Sequence, residues 1–149
     1  MGNLKRIMLA EDNGKDVELA LAALEENHLT NEVVVVRDGE QALQYLRREG
    51  AYKDRAEGNP VVILLDLKMP KVDGLEVLRV VKADPHLKAI PVVMLTSSRE
   101  ERDLVATYNL GVNAYVVKPV DFTQFVEAVK SLGVFWAILN EPPVGSAKK

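Results

Sequence analysis

Short unbroken apolar runs alternate along this chain with longer stretches whose apolar residues recur every three or four positions. RIMLA (6–10), EVVVV (32–36), VVILL (61–65), VVML (92–95) and AYVV (114–117) are rich in β-branched residues and bounded by Asn, Gly, Pro or acids. Such runs predict strands. A run with no polar alternation belongs to a strand buried on both faces, as in parallel sheets. Between the runs the pattern is helical. VELALAALEE carries Leu19, Ala22, Ala23 and Glu26 at helical spacing, with Glu26 at the solvent edge, and EVLRVVKA and DLVATYNL carry similar stripes. Four of the segments open on a capping side chain three residues before Glu or Gln: Asp38 with Gln41, Asp73 with Glu76, Ser98 with Glu101, and Asp121 with Gln124. Five β-α units predict an α/β domain, a parallel sheet with helices on both faces and right-handed crossovers. No internal repeat interrupts the pattern. Residues 47–60, RREGAYKDRAEGNP, read as a polar insertion before the third strand, and residues 140–149 as a frayed tail.

Composition narrows the class. The 149 residues suit one domain, and 48% apolar with 28% charged residues is ordinary for a water-soluble fold. A net charge of −3 offers no general attraction to nucleic acid. The chain contains no cysteine, which excludes disulfides, thiolate metal sites and cysteine nucleophiles, and fits a reducing cytoplasm. The first residues, MGNLKRIMLAEDN, hold too short an apolar run for a signal peptide, and Arg6 breaks the myristoylation pattern begun by Met1-Gly2. No apolar run approaches the roughly 18 residues of a membrane span. A cytoplasmic protein is expected.

In open α/β sheets the working site lies at the carboxyl ends of the strands. There the first strand delivers Glu11 and Asp12, the third Asp66, the fourth Thr96, and the fifth Lys118 followed by Pro119. Two carboxylates about 5 Å apart repel by roughly 3 kcal/mol at an effective dielectric near 20. Three acids on one rim therefore call for a proton or a cation. A hard divalent ion with oxygen ligands fits, and Mg²⁺ takes one or two carboxylates while keeping several waters. Asp66 is the natural nucleophile, since a carboxylate can carry an aspartyl-phosphate. Lys118 would pair as a point charge with a phosphate oxygen, and the Thr96 hydroxyl would donate a further hydrogen bond. Singly, each of these residues is an ordinary cap, turn or surface group; the set in this order is not.

The acidic pair Glu11-Asp12, Asp66 in LLDLKMPKVDG, Thr96 in MLTSS and Lys118-Pro119 in YVVKP together resemble the receiver domains of two-component response regulators. The resemblance runs from about Lys5 to Leu132. It implies a flavodoxin-like, doubly wound sheet of five parallel strands in the order 2-1-3-4-5, with five helices. It also implies the roles. Asp66 would accept a phosphoryl group from a sensor histidine kinase, with Thr96 and Lys118 holding the phosphoryl oxygens. Asp12 and Asp66 would bind Mg²⁺, with Glu11 acting mostly through water and the Lys68 backbone carbonyl as a further ligand. Tyr115 would be the switch partner of Thr96, and the Lys118-Pro119 bond would be cis. The insertion around GAYKDR, LKAIPVVMLTSS, KPVDFTQF and the late Phe135-Trp136 look most like the small stand-alone regulators paired with cyanobacterial and bacterial phytochromes. Two positions depart from the common pattern or tune it: Glu11 stands where aspartate is commoner, and Lys68 and Ser98 occupy the places, two after Asp66 and Thr96, that in the family set phosphate lifetime.

These features imply a receiver domain over residues 1–132 and a C-terminal extension over 133–149. The extension carries Val134, Phe135, Trp136, Ile138 and Leu139 after Gly133, a plausible cap for the last helix. Such an apolar patch is expected to pair with a second copy as a homodimer, with Pro142-Pro143 ending the arm. Readings from other classes fare worse. A haloacid-dehalogenase-type phosphatase wants an aspartate where Lys68 stands. An FMN carrier wants a Gly/Ser/Thr loop where LAEDNGKD places two acids. A DNA-binding regulator wants a basic domain that the short stretch after Leu132 has no room for.

Overall fold

A computed structural model describes residues 6–25, 32–107, 110–112 and 114–133. The elements run β1 (Arg6–Ala10), α1 (Gly14–Glu25), β2 (Glu32–Val36), α2 (Gly39–Arg47), a 3₁₀ turn (Gly50–Tyr52), β3 (Val62–Asp66), α3 (Gly74–Ala83), β4 (Val92–Thr96), α4 (Arg99–Thr107), β5 (Ala114–Val117) and α5 (Phe122–Ser131). All four strand pairings are parallel and the order is β2-β1-β3-β4-β5, as the resemblance implied. Every residue of β3 and β4 is buried, which is why neither run shows polar alternation.

The strands' two-residue period divides the interior into two cores. Ile7, Leu9, Val62, Leu64, Val93 and Leu95 face one side, where Val17, Ala20 and Leu24 of α1 and Phe125 and Val129 of α5 cover them. Met8, Ala10, Ile63, Leu65, Val92 and Met94 face the other, under Ala42, Tyr45 and Leu46 of α2, Val77 and Leu78 of α3 and Val105 of α4. Truncating a fully buried side chain such as Phe125 to alanine removes about 3–5 kcal/mol in sites of this kind.

All four expected caps form. Asp38, Asp73 and Asp121 accept from the N–H three residues on at 2.8, 2.9 and 2.8 Å, and Ser98 Oγ accepts from Glu101 N–H at 3.1 Å. The returning half of two boxes reaches one residue further than expected. Gln41 accepts from the Arg37 N–H at 2.9 Å and Glu101 from the Ser97 N–H at 2.7 Å. Past α5, Gly133 takes φ +75° and donates to the Lys130 carbonyl at 3.0 Å, the left-handed cap its position suggests.

Two local expectations need correction. The inward stripe of α1 is Val17, Ala20, Ala23 and Leu24 with Leu21 beside them, so Ala23 faces in as expected, whereas Leu19 is 41% exposed and Ala22 also faces out. Both stripes have helical spacing, but the true one carries three large apolar residues against one, so it buries more area. Strands β3 and β4 end one residue later than the apolar runs suggest, on Asp66 and Thr96 themselves, because the backbone ladder continues through them. The insertion at 47–60 is polar, as expected, and is ordered by its own contacts. Arg55 lies 4.1 Å over the Tyr45 ring and donates to the carbonyls of Tyr45, Ala56 and Gly58 at 2.6, 2.6 and 3.0 Å. Tyr52 packs edge-on against Tyr45, ring centroids 5.2 Å apart. The segment expected to supply dimer contacts, Val134 to Leu139, and the Pro142-Pro143 end of that arm lie outside the described residues.

Candidate functional site

Strand parity assembles the site. Glu11 continues the Ile7–Leu9 side of β1, Asp66 the Val62–Leu64 side of β3, and Lys118 the Ala114–Val116 side of β5. All three therefore meet on the face that α1 and α5 cover. Thr96 pairs with Val117 and follows Met94, so it shares the opposite face with Tyr115, the partner of Met94. Below Asp66 the chain turns through Pro70 and Lys71, the latter at φ +68°, and the Gly74 N–H bonds back to the Leu67 carbonyl at 2.8 Å. A side chain at Gly74 would collide with the Asp66 carbonyl oxygen, so glycine is what lets α3 start directly beneath the strand end.

At the rim, oxygen atoms of Glu11, Asp12 and Asp66 lie within 4.8 Å of one another. Glu11 and Asp66 are buried and Asp12 is exposed. The Lys118 ammonium reaches three carboxylates at once, Asp16 at 3.1 Å, Asp66 at 3.2 Å and Glu11 at 3.3 Å. Burial, and after it the charge of Asp66, pushes the Glu11 carboxyl up to about 7, against the Asn13 N–H and Lys118, which pull it down. Burial likewise raises Asp66, with Lys118 offsetting part of the rise. For Lys118 burial acts downward, but Asp66, Asp16 and Glu11 outweigh it and hold the ammonium above its ordinary value. One ammonium thus fails to neutralise the acids around it. A divalent cation would do so, and the all-oxygen donor set suits a hard ion.

The remaining expected residues divide. Thr96 Oγ1 is fully buried at the end of β4, beside the strand that ends in Asp66, and has no hydrogen-bond partner. A buried hydroxyl in that condition costs about 1–3 kcal/mol, and an incoming oxygen would relieve it. Tyr115 is half-buried, with the Arg102 guanidinium 5.5 Å from its ring centroid. Lys68 turns its ammonium to Glu101 on α4 at 3.0 Å, so its side chain bridges the loops after β3 and β4. The Lys118-Pro119 bond is cis. Asp16 is the residue that the sequence reading missed. The available signal was Asn13, whose side chain caps α1 by accepting from the Asp16 N–H at 2.9 Å and so sets Asp16 in the first turn, above the rim.

Residues 7–130 match the response regulator receiver domain model. The chain belongs to that family. It is 39% identical over 132 residues to the response regulator Rcp1 of Synechocystis sp., covering 89% of this chain and 88% of Rcp1. The bacteriophytochrome response regulator RtBRR is 66% identical, with a TM-score of 0.87 over 97% of this chain and 87% of that one. The crystal structure of the phosphorylated cyanobacterial phytochrome response regulator RcpA is 46% identical, TM-score 0.72, over 89% of this chain and 94% of that one. Rcp1 has also been solved in a Mn²⁺-bound form, 38% identical, TM-score 0.71, over 94% of this chain and 99% of that one. This chain is therefore a receiver related to the phytochrome-associated response regulators, a phosphoacceptor of two-component signalling. Among its described residues no helix is long and apolar enough to cross a membrane.

Proposed function

We propose that Asp66 is the phosphoacceptor, taking its phosphoryl group from the phosphohistidine of a partner kinase, a bacteriophytochrome. The observation that carries this is one buried carboxylate at the end of β3 with the Lys118 ammonium 3.2 Å away and two further acids within 4.8 Å. In the transfer an Asp66 oxygen attacks phosphorus, the P–N bond to the kinase histidine breaks, and the imidazole leaves with the bonding pair. Lys118 pairs with one phosphoryl oxygen and Thr96 Oγ1 donates to another, which ends its isolation. Mg²⁺, held by Asp12, Asp66 and the Lys68 carbonyl with Glu11 acting through water, would neutralise the charge that gathers on the transferring group. The same groups assist the later loss of phosphate to water. The chain is then a signalling protein that promotes its own phosphorylation and dephosphorylation, working in the cytoplasm, and not an enzyme acting on a separate substrate. The phosphorylated form of RcpA and the Mn²⁺-bound form of Rcp1 support this reading.

Acetyl phosphate with Mg²⁺ should add one phosphoryl mass to the protein and none to Asp66→Asn. Equal labelling of that variant would sink the assignment. Phosphorylation adds about −1.5 to −2 charge, drawing Thr96 and Lys118 toward it and letting Tyr115 follow, so the α4–β5–α5 face is the output surface. The apolar run Val134 to Leu139 gives the chain a homodimer contact, and truncation after Leu132 should halve the mass seen by light scattering.

A further inference from the structure

An ammonium group has three N–H donors, and Lys118 has three carboxylate partners. Its reach toward Asp66 and Glu11 belongs to the site just described. The third contact, to Asp16 Oδ2 at 3.1 Å, is the shortest of the three, and Asp16 is not one of the three acids that lie within 4.8 Å of one another. Asp16 is also held in place. The Asn13 N–H bonds to Glu11 Oε2 at 3.2 Å, the Asp16 N–H bonds to Asn13 Oδ1 at 2.9 Å, and Lys118 closes the ring by joining Asp16 to Glu11 Oε1. This ring ties the start of α1 to the end of β5 across 102 residues of chain. Both ends of the Asp16–Lys118 pair are largely out of water, at 29% and 15% side-chain exposure.

We infer that Asp16 is a positioning residue that tethers the Lys118 ammonium to α1 and so opposes its transfer to a phosphoryl oxygen on Asp66. The inference rests on Asp66 being the acceptor. When the Asp66 carboxylate becomes an acyl phosphate, the added negative charge draws on the Thr96 hydroxyl and on Lys118, whose three donors are already committed. Asp16 competes for the Lys118 ammonium, and its own charge repels the phosphoryl group from α1. Both effects have the same sign. Removing the Asp16 charge strengthens the hold on an acyl-phosphate mimic, whereas a residue that merely braced α1 would weaken it when lost.

The test is a calorimetric titration of the full chain with beryllium fluoride in saturating Mg²⁺, for wild type, Asp16→Asn, Asp16→Glu and Glu18→Gln. Glu18 is exposed on the same helix and serves as a control for bulk charge. Asp16→Asn is expected to bind about tenfold tighter at low salt, the scale for one partly screened unit charge several Å away. That gain should shrink as ionic strength rises. Asp16→Glu keeps the charge and should stay near wild type, and so should Glu18→Gln. Unchanged or weaker binding by Asp16→Asn overturns the inference, and so does an equal gain in Glu18→Gln. A wild-type protein that binds no beryllium fluoride overturns the reading of Asp66, and the role of Asp16 with it. Binding to wild type with an unaltered Asp16→Asn overturns the role of Asp16 alone.

Discussion

The two ends of the sheet treat their charged groups in opposite ways. At the amino ends of β1 and β3, Arg6 and Arg55 are enclosed by the folded insertion. Arg6 donates to the Glu57 and Gly58 carbonyls at 3.0 Å each, and Arg55 to those of Tyr45, Ala56 and Gly58. Backbone oxygens are neutral and fixed, so the fold itself solvates most of both guanidinium groups. Among the described residues, the Arg6 Nε is the one buried side-chain polar atom left unpartnered there. At the carboxyl ends carboxylates crowd on one another, with Lys118 set among four acids and a buried Thr96 hydroxyl that has no hydrogen-bond partner. The first end is all but finished by its own residues. The second, on the function proposed above, would be completed by a cation and a phosphoryl group, and its unbalanced charge distinguishes it from the structural polar cluster at the first.

If this contrast is right, the largest effect should appear when pH is varied in metal-free protein. Glu11 has a folded value of about 7 against an ordinary 4.5, so its contribution favours the folded state below about 4.5 and is lost as pH rises through 7. A loss of up to about 3 kcal/mol is expected across that window, read by urea denaturation in EDTA. Adding Mg²⁺ should restore most of it at pH 8. Stability that rises over that window without metal would erase the distinction between the two ends.

A smaller effect is expected at the other end. Arg55→Ala strips the Tyr45 carbonyl of a donor and the Tyr45 ring of its cation, a loss of about 2 kcal/mol. Beryllium fluoride affinity should not change. A variant that lost that affinity as well would show the ends to be coupled. Smallest of all should be Glu57→Gln. It removes the exposed Arg48–Glu57 pair at 3.7 Å and leaves the Glu57 carbonyl in place for Arg6. A change within about 0.5 kcal/mol is expected, and a larger one would mean that charge pairing, not carbonyl solvation, holds the insertion.

The order of strands and helices, the four caps and the five residues at the strand ends were all written in local sequence. Each depends on a period or a spacing of a few residues. Glu11, Asp12, Asp66, Thr96 and Lys118 were legible because strand ends are local features and a parallel sheet collects them on one edge. Other features were beyond such signals. The inward face of α1 depends on which of two equally spaced stripes buries more area against the sheet. The insertion at 47–60 looks like a loop because what orders it, Arg55 against Tyr45 and Arg6 against the Glu57 and Gly58 carbonyls, joins groups up to 52 residues apart. Asp16 meets Lys118 across 102 residues. Spacing along the chain names the residues that reach the rim, whereas the partners of Lys118 follow from the placing of α1 on the same sheet face as α5, which exists only once the sheet has formed.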